Sequence, residues 1–309
     1  MYLEHFNITQ LPFTLTPNTD FYCSLPGSQM ALNVLLFGVQ SGEGFIKIVG
    51  EVGSGKTLLC RKLLNSLDEN YHTAYIPNPD LSPAGLRRML AQELGVEVHA
   101  RISSQEALEL ITRRLVELRA QGKNVALIID EAQALPDESL EALRLLTNLE
   151  TEKEKLLQIV LFGQPELDHR LNRHHFRQLK QRITFSYYLQ PVKWAELNSY
   201  ICHRLAVAGY TRGSIFSKRA TRLLFKKSQG TPRLINILCH KAMLAAYGRG
   251  ELVVSYKAMR QATQDTESIV GFSFLRQNLF FIISLLILIG IGVVYYDHYG
   301  LISLPKLRW

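Results

Sequence analysis

Cysteine is scarce in this chain: Cys23, Cys60, Cys202 and Cys239 are the only four in 309 residues. No two form a C-x-x-C pair and no histidine stands at metal-ligand spacing from them, which excludes a zinc ribbon and a disulfide scaffold. Scattered in this way, the thiols read as small apolar side chains in a reducing compartment. The N-terminus, Met1-Tyr2-Leu3-Glu4-His5-Phe6, has no basic stretch leading into an apolar core, so no secretory signal is expected. Everything ahead of a membrane segment is therefore expected in the cytosol. No internal repeat is visible.

Acidic residues are also in short supply. Asp and Glu number 27 against 35 Lys and Arg, a formal net charge of +8 and a pI near 9.3. Such a balance suits an acidic partner, whether nucleotide, nucleic acid or anionic membrane, and does not choose among them. The 47% hydrophobic content is that of a core-forming globular chain. Charge vanishes altogether between 279 and 296, LFFIISLLILIGIGVVYY. Eighteen residues at 1.5 Å each make about 27 Å of helix, close to the thickness of a bilayer's hydrocarbon core. One transmembrane helix is expected there, with Tyr295 and Tyr296 at the interface. The flanking charges, Arg276 against Lys306 and Arg308, do not fix its orientation.

Short β-branched runs alternate with helical spacing over the first 190 residues. Strands are expected at 45–49, 73–76, 125–129, 157–162 and 184–189. Val125-Ala126-Leu127-Ile128-Ile129 shows no polar alternation, as in a parallel strand buried on both faces. Helices are expected at 30–39, 58–64, 83–94, 104–121 and 138–149, with Ser103 and Glu106 forming a capping box. This order predicts an α/β fold with a doubly wound parallel sheet. After Pro191 only helices are expected, at 192–207, 218–228, 232–247 and 255–263, which marks an all-helical second domain. The resulting divisions are an N-terminal segment over 1–40 packed on the core, an α/β domain over 41–190 and a helical lid over 191–268. A linker over 269–278, the membrane helix over 279–296 and a short tail over 297–309 follow.

The strongest local signal is Gly50-Glu51-Val52-Gly53-Ser54-Gly55-Lys56-Thr57, which fits G-x-x-x-x-G-K-[ST]. A strand precedes it and a helix follows, an arrangement that points backbone N–H groups and a positive dipole end at a phosphate. Lys56 is placed to neutralise the outer phosphates of ATP and Thr57 to ligate Mg2+. Asp130-Glu131 closes the apolar strand 125–129, on the edge where ligands of open α/β sheets bind. Asp130 is expected in the metal shell and Glu131 beside the attacking water. Gln164 follows the next buried strand and is expected to place water or sense the terminal phosphate. Arg177 and Arg182 precede the last strand, either of them able to reach a neighbouring subunit's nucleotide. Arg233, in Gly230-Thr231-Pro232-Arg233, sits where a helix dipole disfavours a cation, which suggests that an external anion compensates it.

With these residues assembled, the chain resembles an AAA+ P-loop ATPase. Residues 50–57 match Walker A, 125–131 match Walker B, Gln164 falls at sensor 1 and Arg233 at sensor 2. Several runs narrow the likeness: Tyr2-Leu3-x-x-Phe6 with Pro12-Phe13, Asp130-Glu131-Ala132-Gln133, Asn148-Leu149-Glu150-Thr151 and Gly163-Gln164-Pro165-Glu166-Leu167. They are similar to the ExeA/GspA family of inner-membrane ATPases, over about residues 1–265. That resemblance implies ATP hydrolysis with Mg2+, a homo-oligomer or ring, and inner-membrane assembly partners of a type II secretion system or type IV pilus. It also implies a single-pass protein of the bacterial inner membrane, with its ATPase domain cytoplasmic, its tail periplasmic and no nucleic-acid partner. Family members often carry a peptidoglycan-binding domain beyond the membrane helix, where this sequence has only 297–309. The short MshM-type branch, associated with the mannose-sensitive haemagglutinin (MSHA) pilus, is the most similar. Two other readings stay open: a DNA-binding transposition-type AAA+ ATPase, and a nucleotide-gated scaffold with little turnover.

Overall fold

In the computed structural model, residues 2–42, 44–99, 102–151, 154–266, 284 and 286–291 are described. Five parallel strands form one sheet: β1 (Phe45–Gly50), β2 (Tyr71–Ile76), β3 (Asn124–Ile129), β4 (Gln158–Gly163) and β5 (Phe185–Leu189), in the order β2-β3-β4-β1-β5. The three inner strands are mostly apolar and buried on both faces, whereas β5, at an edge, alternates. Lys47 interrupts the apolar run of β1. It is buried and ion-paired with Asp168, whose carboxylate reaches in from a flanking helix.

The helices that precede the last strand in the chain are α1 (Tyr2–Phe6), α2 (Pro26–Gln40), α3 (Lys56–Leu64), α4 (Pro83–Glu93), α5 (Ser104–Ala120), α6 (Asp137–Leu146), α7 (Pro165–Leu171) and α8 (Arg177–Gln181). One face of the sheet buries Leu90, Ile111, Leu115, Leu143 and Leu167 against Leu127 and Leu161. The other buries Leu35, Leu59 and Leu63 against Ile48, Ile128 and Phe162. Helix α5 starts at the expected capping box: the Ser103 hydroxyl accepts from the Glu106 N–H at 3.1 Å, and the Glu106 carboxylate accepts from the Ser103 N–H at 3.0 Å. Helix α6 stops at Leu146, three residues short of expectation, and the Thr147 hydroxyl turns back onto the Arg144 carbonyl. The sequence reading has no helix between 163 and 184. Pro165, at the first position of α7, starts one there, and the helix is only seven residues long before Asn172 caps it.

Four helices follow the sheet: α9 (Trp194–Val207), α10 (Lys218–Ser228), α11 (Pro232–Tyr247) and α12 (Tyr256–Gln264). They share a core of their own around Leu197, Ile201, Leu224, Leu238, Met243 and Met259. The opening residues Tyr2, Phe6, Ile8, Phe13 and Phe21 belong to this helical core rather than to the sheet; of the segment 1–40, α2 packs on the sheet. Arg204 is one of the side chains that make that attachment, beside Tyr2 on His240 and Thr9 on the Ala208 carbonyl. It is 4% exposed, donates to the Pro12 carbonyl at 2.7 Å and lies 4.8 Å from the Phe21 ring centre.

Among the described residues no helix is long and apolar enough to cross a membrane. The expected span 279–296 lies outside them except for Ser284 and 286–291, which are helical. The expected linker 269–278 and tail 297–309 also lie outside.

Candidate functional site

All five strands run the same way, so their carboxyl ends share one edge of the sheet. Registers place Val49 opposite Gly163 and Ile129 opposite Leu161, with β4 between β1 and β3. The turns after β1, β3 and β4 therefore converge, and they bring Lys56, Glu131 and Gln164 to one cleft of about 360 Å3. Thr57 and Arg233 line the same cleft.

The turn after β1 is closed by its own lysine. Lys56 Nζ donates to the carbonyls of Gly50 at 2.8 Å and Glu51 at 3.0 Å and is 5% exposed. Burial lowers its pKa, and the carboxylates of Glu131, Asp130, Glu51 and Glu166 pull the other way. Gly53 holds φ +77° and Gly55 φ +100°, which aim the turn into the N-terminus of α3. The buried Ser54 hydroxyl has no hydrogen-bond partner among the described residues. A buried donor left unmade, inside a turn that ends on a lysine and a helix N-terminus, fits a bound phosphate.

Asp130 is 2% exposed, and burial raises its carboxyl pKa against hydrogen bonds from Thr57 and the Glu131 N–H. An acid thus kept from water, beside the Thr57 hydroxyl, is a donor set suited to Mg2+. Among the described residues, Glu131 is one of three non-glycine residues at positive φ, at +51°. That conformation costs about 1–2 kcal/mol and is held by the Asp130 side chain, which accepts from the Glu131 N–H at 2.9 Å. Glu131 Oε2 accepts from Gln164 Nε2 at 2.9 Å and from the Gln133 amide. Its Oε1 carries no hydrogen bond among the described residues and is left to the cleft.

Sequence reasoning assigns Gln133 no role, yet it joins two of the predicted residues. While donating to Glu131, it accepts from the Gln164 N–H at 3.0 Å. Its own carbonyl accepts from Arg170 at 2.8 Å, and Arg170 is ion-paired with Asp137. Tyr200 and Arg204 carry no local signal either, and Asn236 closes the run Gly230–Asn236 that opens a helix of the second domain. They line the cleft, and the Tyr200 hydroxyl donates to Asn236 Oδ1 at 3.0 Å. A second cavity, of about 140 Å3, opens beside Ser54 and Gly55 and is walled by Phe21, Tyr22, Tyr187, Pro191 and Tyr200. Its apolar, aromatic lining next to the phosphate turn suits a nucleobase.

Arg177 and Arg182 are not brought to this cleft. Arg177 is exposed at the start of α8, and Arg182 Nη1 lies 3.5 Å from the Thr147 carbonyl. Both precede β5, whose first residue pairs with Ile46 near the start of β1, so they stand at the opposite edge of the sheet from Gly50. Arg233 is brought in. Its N–H donates to the Gly53 carbonyl at 3.1 Å, so the first turn of α11 rests on the phosphate turn.

The AAA domain family matches residues 39–171. General secretion pathway protein A of Aeromonas hydrophila is 40% identical over 250 residues, which are 81% of this chain and 46% of that protein. The chain thus spans about half the length of that curated relative. Among solved structures, CDC6P of Pyrobaculum aerophilum matches 80% of this chain and 70% of its own, with a TM-score of 0.62 at 18% identity. The Aeropyrum pernix ORC2 protein matches 81% and 72%, with 0.58 at 18%. The Walker-type ATPase of Pyrococcus abyssi matches 86% and 80%, with 0.57 at 15%. At these identities the structural likeness speaks for the fold. The parallel-sheet core is an AAA-type P-loop core, and the chain is similar to General secretion pathway protein A.

Proposed function

We propose that this chain is a membrane-anchored AAA+ ATPase that hydrolyses ATP to support assembly of a type II secretion apparatus or a type IV pilus of the MSHA kind. One observation carries the enzymatic part: Lys56, Thr57, Glu131, Gln164 and Arg233 come from four separate turns and line one cleft. Lys56 meets the outer phosphates. Thr57 and Asp130 would hold Mg2+, whose chemistry there would be to offset the charge of the phosphates. Glu131 Oε1 takes the proton of the attacking water as the bond between the last two phosphates breaks, and Gln164 fixes that carboxylate through Oε2. Helices α9–α12 act as a lid whose Arg233 reads the terminal phosphate. Arg177 or Arg182 serves a neighbouring copy's nucleotide, which makes a homo-oligomer the active form.

The secretion reading is supported by the 40% identity to General secretion pathway protein A. The inner-membrane reading is supported by the uncharged run 279–296 and by the residues described within it. Leu286, Ile287, Leu288, Ile289 and Ile291 are each 55–66% exposed, which is costly in water and natural in lipid.

The test measures phosphate release and ATP retention by the full chain. Glu131→Gln is expected to bind ATP and release phosphate about 100-fold more slowly or worse, and Lys56→Ala to lose binding. Equal release by wild type and Glu131→Gln would leave a nucleotide-gated scaffold. ATP-loaded Glu131→Gln, purified from solubilised membranes, is expected to bring secretion or pilus components with it. Recovery of DNA and transposition proteins instead would overturn the assembly reading.

A further inference from the structure

Helix α10 has five basic residues among its eleven and no acidic one: Lys218, Arg219, Arg222, Lys226 and Lys227. Arg219, Arg222 and Lys226 follow one another at three- and four-residue spacing, which sets them along one face with Lys218 beside them. These four are exposed, and among the described residues none is in an ion pair. A stripe of this density repels itself, so an unpartnered face of this kind is unfavourable in isolation.

Apolar side chains stand next to it. Leu252 is 68% exposed, Val253 55% and Tyr256 45%. Lys218 and Arg219 line the same shallow depression as these three residues. The loop is not a loose tip. The Val254 N–H donates to the Ile215 carbonyl at 2.8 Å and the Ser217 N–H to the Val254 carbonyl at 3.1 Å, which ties 252–254 to the chain entering α10. Val254 itself is fully buried. The fold thus holds two large aliphatic side chains in water while burying the third, at the rim of the basic stripe.

Cations that border exposed aliphatic and tyrosine side chains match the interface of an anionic bilayer, with phosphate headgroups outside and acyl chains beneath. Nucleic acid answers the cations alone and leaves Leu252 and Val253 unexplained. The chain also ends its described core close to where a bilayer is expected. Residues 267–278 separate Thr266 from the uncharged run, and twelve residues span at most about 40 Å. We propose that the α10 stripe and the 252–256 loop dock on the anionic surface of the membrane into which 279–296 inserts. The ATPase is then held against the bilayer in one orientation instead of swinging on its linker. The orientation rests on the anchoring reading; the lipid contact itself does not.

Hydrogen exchange of the full chain tests it, in vesicles of phosphatidylcholine alone and in vesicles containing phosphatidylglycerol. Amides of 218–222 and 250–256 are expected to exchange more slowly in the anionic vesicles only, with the contrast reduced by salt. Each cation at such a surface contributes about fivefold to the docking equilibrium, so Lys218→Gln with Arg222→Gln is expected to weaken it about 25-fold. Leu252→Ser with Val253→Ser removes the insertion and is expected to reduce protection without altering ATP turnover. Resistance to alkaline carbonate extraction reports the anchor separately. A chain that resists extraction yet shows the same exchange in both vesicles has an anchor and no docking face, which overturns the proposal. A chain that is extracted yet is protected by anionic vesicles has the docking face and no anchor. Protection of 218–226 by duplex DNA, with none from anionic vesicles, assigns the stripe to nucleic acid and likewise overturns the proposal.

Discussion

Replacing Gly53 by alanine measures how firmly α11 rests on the phosphate turn. A Cβ at Gly53 meets two obstacles. The first is conformational: φ is +77°, where a β-carbon costs about 1–2 kcal/mol. The second is steric, because the new Cβ falls 2.6 Å from Arg233 Cβ. Carbon atoms prefer about 3.5–4.0 Å, so the first turn of α11 has to retreat by about 1 Å. Arg233 cannot yield alone, since its Cβ sits on the backbone whose N–H donates to the Gly53 carbonyl. Losing that bond adds about 0.5–1.5 kcal/mol. Gly122 supplies the control, with the same φ of +77° and nothing within 4 Å of an added Cβ. Urea denaturation without nucleotide is expected to show Gly122→Ala losing about 1–2 kcal/mol and Gly53→Ala about 1.5–3.5 kcal/mol. ATP affinity is expected to fall in Gly53→Ala alone. Equal losses in the two variants, with ATP affinity kept in both, would refute the idea that α11 docks on the turn before nucleotide arrives.

Gln133→Leu removes one of two amides on Glu131 Oε2 and is expected to lower turnover about tenfold with ATP affinity kept; unchanged phosphate release would make Gln133 structural only. Arg204→Met leaves the Pro12 carbonyl without its buried donor and is expected to cost about 1–3 kcal/mol in chemical denaturation. It is also expected to weaken ATP binding, because residues 14–18 line the cleft; full retention of affinity would separate the N-terminal segment from the site. His240 accepts from or donates to the Tyr2 hydroxyl at 2.9 Å, and burial lowers its pKa. The unfolded chain then binds the proton more readily, so the stability this group contributes is complete above the ordinary histidine pKa and is lost as pH falls through the lowered one. Denaturation midpoints across that range are expected to fall more steeply for wild type than for His240→Gln, and parallel curves would exclude His240 as the cause.

The strand-end residues of the candidate site are legible because each sits beside a strand whose apolar run announces it. Gly50–Thr57 follows Ile46–Val49, Asp130-Glu131 follows Val125–Ile129, and Gln164 follows Ile159–Phe162. All five strands and the capping box at Ser103 follow from the same local patterns. What local pattern cannot give is which turns meet. Gln133 touches Gln164, and Arg170 touches Gln133, across more than thirty residues of chain. Nothing in Asp130-Glu131-Ala132-Gln133 distinguishes an amide that clamps a carboxylate from one that faces water. Nor does local pattern show that Lys47, inside the strand expected at 45–49, is matched by Asp168. The aromatic residues before residue 22 read as packing on the α/β core. They pack instead in the core of α9–α12, partly through Arg204, a cation that sequence reasoning places at the surface by default and whose side chain donates to the Pro12 carbonyl.

Arg233 reads from sequence as a cation in the wrong place, and the structure leaves that tension unresolved within the protein. Its N–H is used by Gly53, but among the described residues its guanidinium makes no hydrogen bond or ion pair, and it lines the cleft beside Lys56. A cation in the first turn of a helix costs about 0.3–1 kcal/mol at an exposed site, and Lys56 nearby adds repulsion. Without nucleotide, Arg233→Ala is therefore expected to be as stable as wild type or slightly more stable. With saturating ATP in the Glu131→Gln background, the order is expected to reverse. An anion seated between the two cations favours the arginine, and each tenfold of affinity lost with it removes about 1.4 kcal/mol of ligand stabilisation. Thermal unfolding of the pair with and without ATP reads both signs in one experiment. A variant less stable than its parent in both conditions by the same amount would make Arg233 a packing residue of α11, and the site would lose its link to the helical layer.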